Sequence, residues 1–269
     1  MSAPPLTVLE ACANVLRAAA PEAKTDAARI ASELAASSAT LGFKENVSLP
    51  DQPARPEKPV LAAPSDVPRR RLGSQDGRKA LLHAIAHIEF NAIDLAFDMA
   101  VRFASEIESA GLDADAFVRD WAAIGGEEAL HFNLINERLG ELGGAYGDFP
   151  AHGGLWEAAE NTAHSVAARL TVAPMILEAR GLDVTPTMID KLQAIGDHAS
   201  ADCLKIIYHD EIGHVRCGKR WFFALCNVRA MEPEETFRDL KARFFSGALK
   251  PPFNHDARAQ AGLAREMYE

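Results

Sequence analysis

The sequence predicts an all-α protein, an antiparallel four-helix bundle preceded by a helical hairpin and a proline-rich arm. Three observations carry this expectation. Apolar residues recur at helical spacing along most of the chain, with no useful run of β-type alternation. Pro50, Pro53, Pro56, Pro59, Pro64 and Pro68 follow one another too closely for a helix or a central strand. Beyond them, a helix with a glutamate among apolar neighbours and then a helix with Glu-x-x-His occur twice in succession.

Residues 1–42 form the hairpin. Leu6, Leu9, Ala13 and Leu16 mark one stripe, Ile30, Leu34 and Leu41 another, and Pro21 suits a first helical turn. Residues 43–73 form the extended arm, which ends in the basic step Arg69, Arg70 and Arg71. Residues 74–227 hold the bundle. Its first helix runs from near Gln75 to near Ser109 and stops at Gly111; its second begins after Asp113 and fades at Gly140 to Gly144. The third is expected from Gly154 to a glycine stop at Gly181, with a new start at Thr185-Pro186. Gly196 breaks that segment before a last long helix to about Asn227. Short connections favour antiparallel neighbours. Residues 228–269 add a helix over Pro233 to Phe245 and a loose end.

Composition narrows the function. The chain has 269 residues and is 48% hydrophobic, which excludes a wholly disordered protein. With 28 Lys+Arg against 38 Asp+Glu its net charge is −10, which argues against nucleic acid as the main partner. Uncharged apolar runs such as that from Trp221 to Val228 are too short to span a bilayer, and no basic region leads into an apolar run at the N-terminus. Cys12, Cys203, Cys217 and Cys226 make no Cys-x-x-Cys pair, so reduced thiols and a cytoplasmic location are expected.

The chemistry lies in Glu128-Ala129-Leu130-His131 and Glu211-Ile212-Gly213-His214. On a helix, residues three apart share a face, so each pair can hold one metal ion. With 21 Glu and 9 His in 269 residues, chance alone yields roughly 0.7 such motifs, so the motifs need their context. Glu89 lies 39 residues before Glu128, and Glu178 lies 33 before Glu211. Glu89 is flanked at helical spacing by Leu82, Ile85, Ala86, Ala92, Ile93 and Ala96, and the other three glutamates by similar stripes. Four carboxylates on core-facing stripes repel one another unless cations accompany them. Four carboxylates and two imidazoles suit a pair of iron or manganese ions. Internal Glu–His or Glu–Arg pairing is the plainer alternative.

At these residues the chain resembles the ferritin-like di-iron carboxylate superfamily over about residues 75 to 227. The strings Glu127 to Phe132, Glu178 to Pro186 and Asp210 to Val215 are most similar to one ferritin-like family, domain of unknown function 455, which is placed beside tRNA hydroxylases acting on a prenylated, methylthiolated adenosine. The resemblance implies Glu89 and Glu178 as single-helix ligands, with Glu128, His131, Glu211 and His214 as motif ligands, and motif glutamates that bridge the metals.

The expected function is a di-iron oxidoreductase that activates dioxygen, of monooxygenase type, with a small-molecule substrate. A ferroxidase-like or iron-binding protein without organic substrate is the alternative. No cysteine spacing suits an electron-transfer centre, so an external donor such as a reductase is implied. Residues 216–269 lean basic, 10 Lys+Arg against 7 Asp+Glu, a weak hint toward an RNA substrate. A homodimer is compatible with the sequence, and nothing assigns the hairpin to it. Among accessory residues, Tyr208 sits one turn before Glu211 and is a candidate catalytic group, set against core filling. Asp210 is a candidate to orient a ligand histidine, while Glu127 competes with Glu128 as ligand. His83, His87 and His209 fall off the ligand stripes. Thr171 and Pro174 predict a kink before Glu178 that opens space for substrate or oxygen.

Overall fold

Side-chain caps decide where the helices begin. Thr7 and Glu10 form a reciprocal capping box ahead of α1 (Val8–Arg17), and Pro21 opens α2 (Pro21–Ala36) where its missing N–H costs nothing. Ser74, Asp113 and Asp197 each accept a hydrogen bond from the backbone N–H three residues on. They thereby start α3 (Gln75–Ser109), α4 (Ala114–Glu141) and α8 (His198–Val228). The computed structural model describes residues 6–42, 47–63, 66 and 72–269. Among these residues the protein is all-α, with no strand beyond one isolated bridge between Leu61 and Ala151. The Arg69–Arg71 step, Pro64 and Pro68 lie outside the described residues.

The third helical segment departs most from expectation. It is divided into α5 (Gly154–Asn161), α6 (Val166–Val172), a π-helical turn over Ala173–Glu178, and α7 (Ala179–Ala194). Gly181 does not stop it, and Thr185-Pro186 lies inside α7 rather than at a helix start. A proline leaves the carbonyl four residues back without its N–H partner. Here that carbonyl belongs to Leu182, and Asn254 Nδ2 donates to it at 3.1 Å. The kink expected at Pro174 is the π turn, and Thr171 Oγ1 donates back to the Ala167 carbonyl just ahead of it. Gly196, at φ +80°, separates α7 from α8, a conformation that favours glycine.

Around one shared interior, α3 packs on α4, α4 on α8, α8 on α6 and α7, and α6 on α3. The hairpin covers this assembly from outside, α1 against α3 and α2 against α4. Its second stripe holds in part: Leu41 is buried and Leu34 packs half-buried against the core, but Ile30 does not. Ile30 is 45% exposed, and α2 turns Lys24, Thr25, Ala28, Ala31 and Ala35 inward instead. Small residues let α2 lie close to α4, and Lys24 is buried because it pairs with Asp94 of α3. The C-terminal end is not loose either. After α9 (Pro233–Phe244), α10 (His255–Gln260) docks on α7 and α8, and Arg258 pairs with Asp183 at 2.7 Å. By length and composition α3 is long and apolar enough to cross a membrane, but 89% of its most apolar window is buried by the other helices. All four cysteines are free thiols.

Candidate metal centre

Each functional side chain sits mid-helix on an inward face. Glu89 comes from α3, Glu128 and His131 from α4, and Glu211 and His214 from α8. Glu178 ends the π turn. Glu89, Glu128, His131 and Glu211 each offer a ligand atom, and these atoms all lie within 4.8 Å of one another. Glu89, Glu128, His131 and His214 are at most 3% exposed.

Glu128 is at the centre. Its Oε2 lies 3.4 Å from His131 Nδ1 and its Oε1 lies 3.0 Å from His214 Nδ1. Glu89 Oε2 is 3.4 Å from His131 Nδ1, and Glu211 Oε2 is 3.8 Å from His214 Nδ1. Glu178 lines the same cavity as Glu89 and Glu211. The two imidazoles face each other with centroids 5.8 Å apart.

The outer nitrogens of the two histidines are cross-braced. His131 Nε2 is 3.1 Å from Asp210 Oδ2, and His214 Nε2 is 2.8 Å from Glu127 Oε2. Each brace is the acid that immediately precedes the other motif's glutamate. Both point the Nδ1 atoms inward, toward the carboxylates. For Asp210 this is the orienting contact the sequence suggested. Glu127 has the same role, which sequence reasoning missed by weighing it only as a rival ligand. The available signal was that an acid precedes Glu-x-x-His in both motifs.

Tyr208 is placed elsewhere. It lies on the opposite flank of Glu211 from His214, and its hydroxyl accepts from Asn254 Nδ2 at 2.8 Å rather than meeting any of the six groups. His209 is exposed. His83 and His87 face away from the carboxylates but are buried: His83 Nε2 accepts from the Gly147 N–H, and His87 Nδ1 meets the Tyr146 hydroxyl.

Electrostatics shows what the cluster lacks. Burial raises Glu89 to about 7 against the contrary pull of His131, and raises Glu178 to about 8. Burial, reinforced by Glu128, also drives Glu211 well above the carboxylate range. Burial works against charge on Glu128 too, but His214 and His131 outweigh it and hold its pKa low. In His131 the same burial penalty is outweighed by Glu128 and Glu89, which raise it to about 11. Glu89 Oε2, Glu128 Oε1, Glu178 Oε2, Glu211 Oε2 and His214 Nδ1 are buried without a hydrogen-bond partner. The close His214–Glu128 approach is therefore not an aligned hydrogen bond.

Of the plainer alternative, the Glu–His pairing is present and, among the described residues, the Glu–Arg pairing is not. The buried aspartates Asp94, Asp98, Asp183 and Asp197 each contact a Lys or Arg. Among the described residues, the four glutamates have no such ion pair; Glu89, Glu128 and Glu211 approach histidines alone, and Glu178 has no ion pair. Orphaned carboxylate oxygens converging with two Nδ1 atoms are what a bound cation satisfies. This buried Glu/His group can hold a metal ion.

The family described as "Protein of unknown function (DUF455)" matches residues 17–269. A Haemophilus influenzae protein, recorded only as an uncharacterized protein, is 45% identical over 223 residues, which span 83% of this chain and 77% of that one. No solved structure matches. With nearly the whole chain matched, this protein belongs to the DUF455 family.

Proposed function

We propose that the protein is a ferritin-like di-metal oxidoreductase, a four-helix bundle whose interior holds two iron ions and that oxidises a small organic substrate with dioxygen. One observation carries the di-metal reading: the two oxygens of Glu128 are shared out, one toward each motif histidine. A carboxylate so divided suits a bridge between two ions. Glu89 with His131 and Glu211 with His214 would hold the ions with it, and Glu178, which lines the cavity beside them, would complete the set. Manganese fits the same mixed oxygen and nitrogen donors.

Bound there, a pair of iron ions supplies reductive activation of dioxygen, with electrons from an external donor. The chain's own residues prepare the site. Asp210 and Glu127 fix the ring orientation of the histidines and keep their Nδ1 atoms directed inward. Glu89, Glu178 and Glu211 must give up their protons as metal enters, so uptake releases protons. Aliphatic walls exclude water from the side on which Glu89, Glu178 and Glu211 line a cavity of about 300 Å³. That cavity favours an organic substrate over the ferroxidase alternative, which has no use for an apolar chamber.

The test is metal analysis of anaerobically purified protein, with its optical spectrum before and after oxygen. Two ions per chain and an oxygen-dependent spectral change are expected. Glu128→Ala and Glu211→Ala should each empty at least one position; two ions retained in both variants would overturn the assignment.

A further inference from the structure

We propose that the cavity beside the cluster binds a medium-chain aliphatic carboxylate, with its hydrocarbon tail directed at Glu89, Glu178 and Glu211 and its acid group held at the mouth by Arg180. The proposal rests on the di-metal oxidoreductase reading and names the substrate class for it.

The walls set the chemistry. The lining is aliphatic, from Ile85, Ala92 and Leu95 on α3 to Leu204 and Ile207 on α8, and it contains no aromatic ring. A volume of about 300 Å³ has room for an aliphatic chain of medium length.

Charge sets the orientation. Three glutamates of the lining are taken up by the metal ions on that reading, so the orientation rests on the cation. Arg180 is the one cation among the lining residues. Arg180 lies two residues beyond Glu178, in the first turn of α7, and also lines the cavity. Its side chain is 41% exposed, which places it at the mouth. Its hydrogen bonds to Asp183 and to the Lys250 and Pro252 carbonyls all come from Nη1. Among the described residues, Nε and Nη2 have no partner, and a guanidinium edge of this kind suits a carboxylate.

Gly181 supports the same reading. Glycine weakens a helix interior, yet this one sits within α7 without a positive φ. No atom lies within 4 Å of where its Cβ would be, so no close approach requires it. It lines the cavity midway between Glu178 and Val184. What a side chain there would remove is cavity volume, and that makes Gly181 the position that sets chain length.

The experiment titrates full-length, metal-loaded protein calorimetrically with decanoate and decanol, with metal content and helicity measured on the same samples. Decanoate is expected to saturate at one per chain. Gly181→Leu should weaken it at least tenfold with metal and helicity retained, and Arg180→Gln should weaken decanoate tenfold while decanol stays within twofold. If Gly181→Leu loses helicity, Val184→Phe fills the space from the next turn and carries the same expectation. Decanoate that fails to bind, or binds the filled variant as well as wild type, overturns the proposal; equal losses of decanoate and decanol in Arg180→Gln overturn the carboxylate. Two metals without decanoate binding sink the substrate class alone, whereas decanoate binding to a protein that takes up no metal sinks the di-metal reading alone.

Discussion

A histidine on a mobile ring binds metal weakly, because each binding event must first fix the ring and its tautomer. In this protein the two braces do that in advance. His131 and His214 are each held at Nε2 by a carboxylate from the facing helix, so the Nδ1 atoms already converge on Glu128. Removing a brace should loosen the site without deleting a ligand. Asp210→Asn and Glu127→Gln are each expected to weaken metal binding about 10- to 100-fold, measured by chelator competition, while stoichiometry at saturating metal stays that of wild type. A variant that loses an ion even at saturation would mean the brace is itself a ligand. The inward convergence of the glutamate and histidine stripes was legible in the sequence because core-facing charge is so unfavourable that its periodicity stands out. The Glu127 contact was not legible. Glu127 is half exposed, and an exposed acid beside a ligand looks like any other surface acid until the facing helix is seen.

At the level of elements, two glycines on facing helices illustrate opposite constraints. A Cβ on Gly218 of α8 would lie 2.4 Å from Pro174, so α8 and the π turn can meet only because that atom is missing. Gly218→Ala is expected to destabilise the protein by about 1–3 kcal/mol through overpacking. Gly181→Ala, which meets nothing, should stabilise it by about 0.4–1 kcal/mol; urea denaturation of both variants checks the contrast. Expecting α7 to stop at Gly181 and restart at Pro186 was reasonable from local signals. It was wrong because Asn254, far along the chain, donates to the carbonyl that Pro186 orphans. Long-range satisfaction of this kind leaves no mark near the proline. The contacts of His83 and His87 with the segment between α4 and α5 make a second prediction. Burial lowers both His83 and His87 from 6.5 to about 4, so each ring folds neutral while the unfolded chain takes up a proton near 6.5. Their contribution is therefore full above about pH 6.5 and is lost as pH falls toward 4, on the order of 3 kcal/mol for each ring. His87→Gln should flatten that part of the stability profile relative to wild type.

Across the whole molecule, buried cations outside the cluster share one task, which is to fasten outlying segments to the helices that carry the glutamates. Lys24 of α2 donates to the Val15 carbonyl of α1 and pairs with Asp94 of α3. Arg169 of α6 meets Asp98 of α3 at 2.6 Å, and Arg258 of α10 meets Asp183 of α7. Asp94 lies five residues from Glu89 and Asp183 five from Glu178, so these fasteners act on the helical stretches that position the ligands. The sequence displayed the hairpin but not its attachment, since a lone lysine in an alanine-rich helix is normally a solvated residue. If the hairpin is part of one cooperative unit, breaking the Lys24–Asp94 pair must destabilise the entire helical assembly. Lys24→Met leaves Asp94 buried and unpaired, which should cost about 3–5 kcal/mol, whereas Lys24→Met with Asp94→Leu should recover most of that loss. In urea, the single variant is expected to shift one common transition seen by both helix content and tryptophan fluorescence. A separate early transition, with the tryptophan signal unchanged, would mean instead that the hairpin folds apart from the helices around the cluster and has no part in holding Glu89 in place.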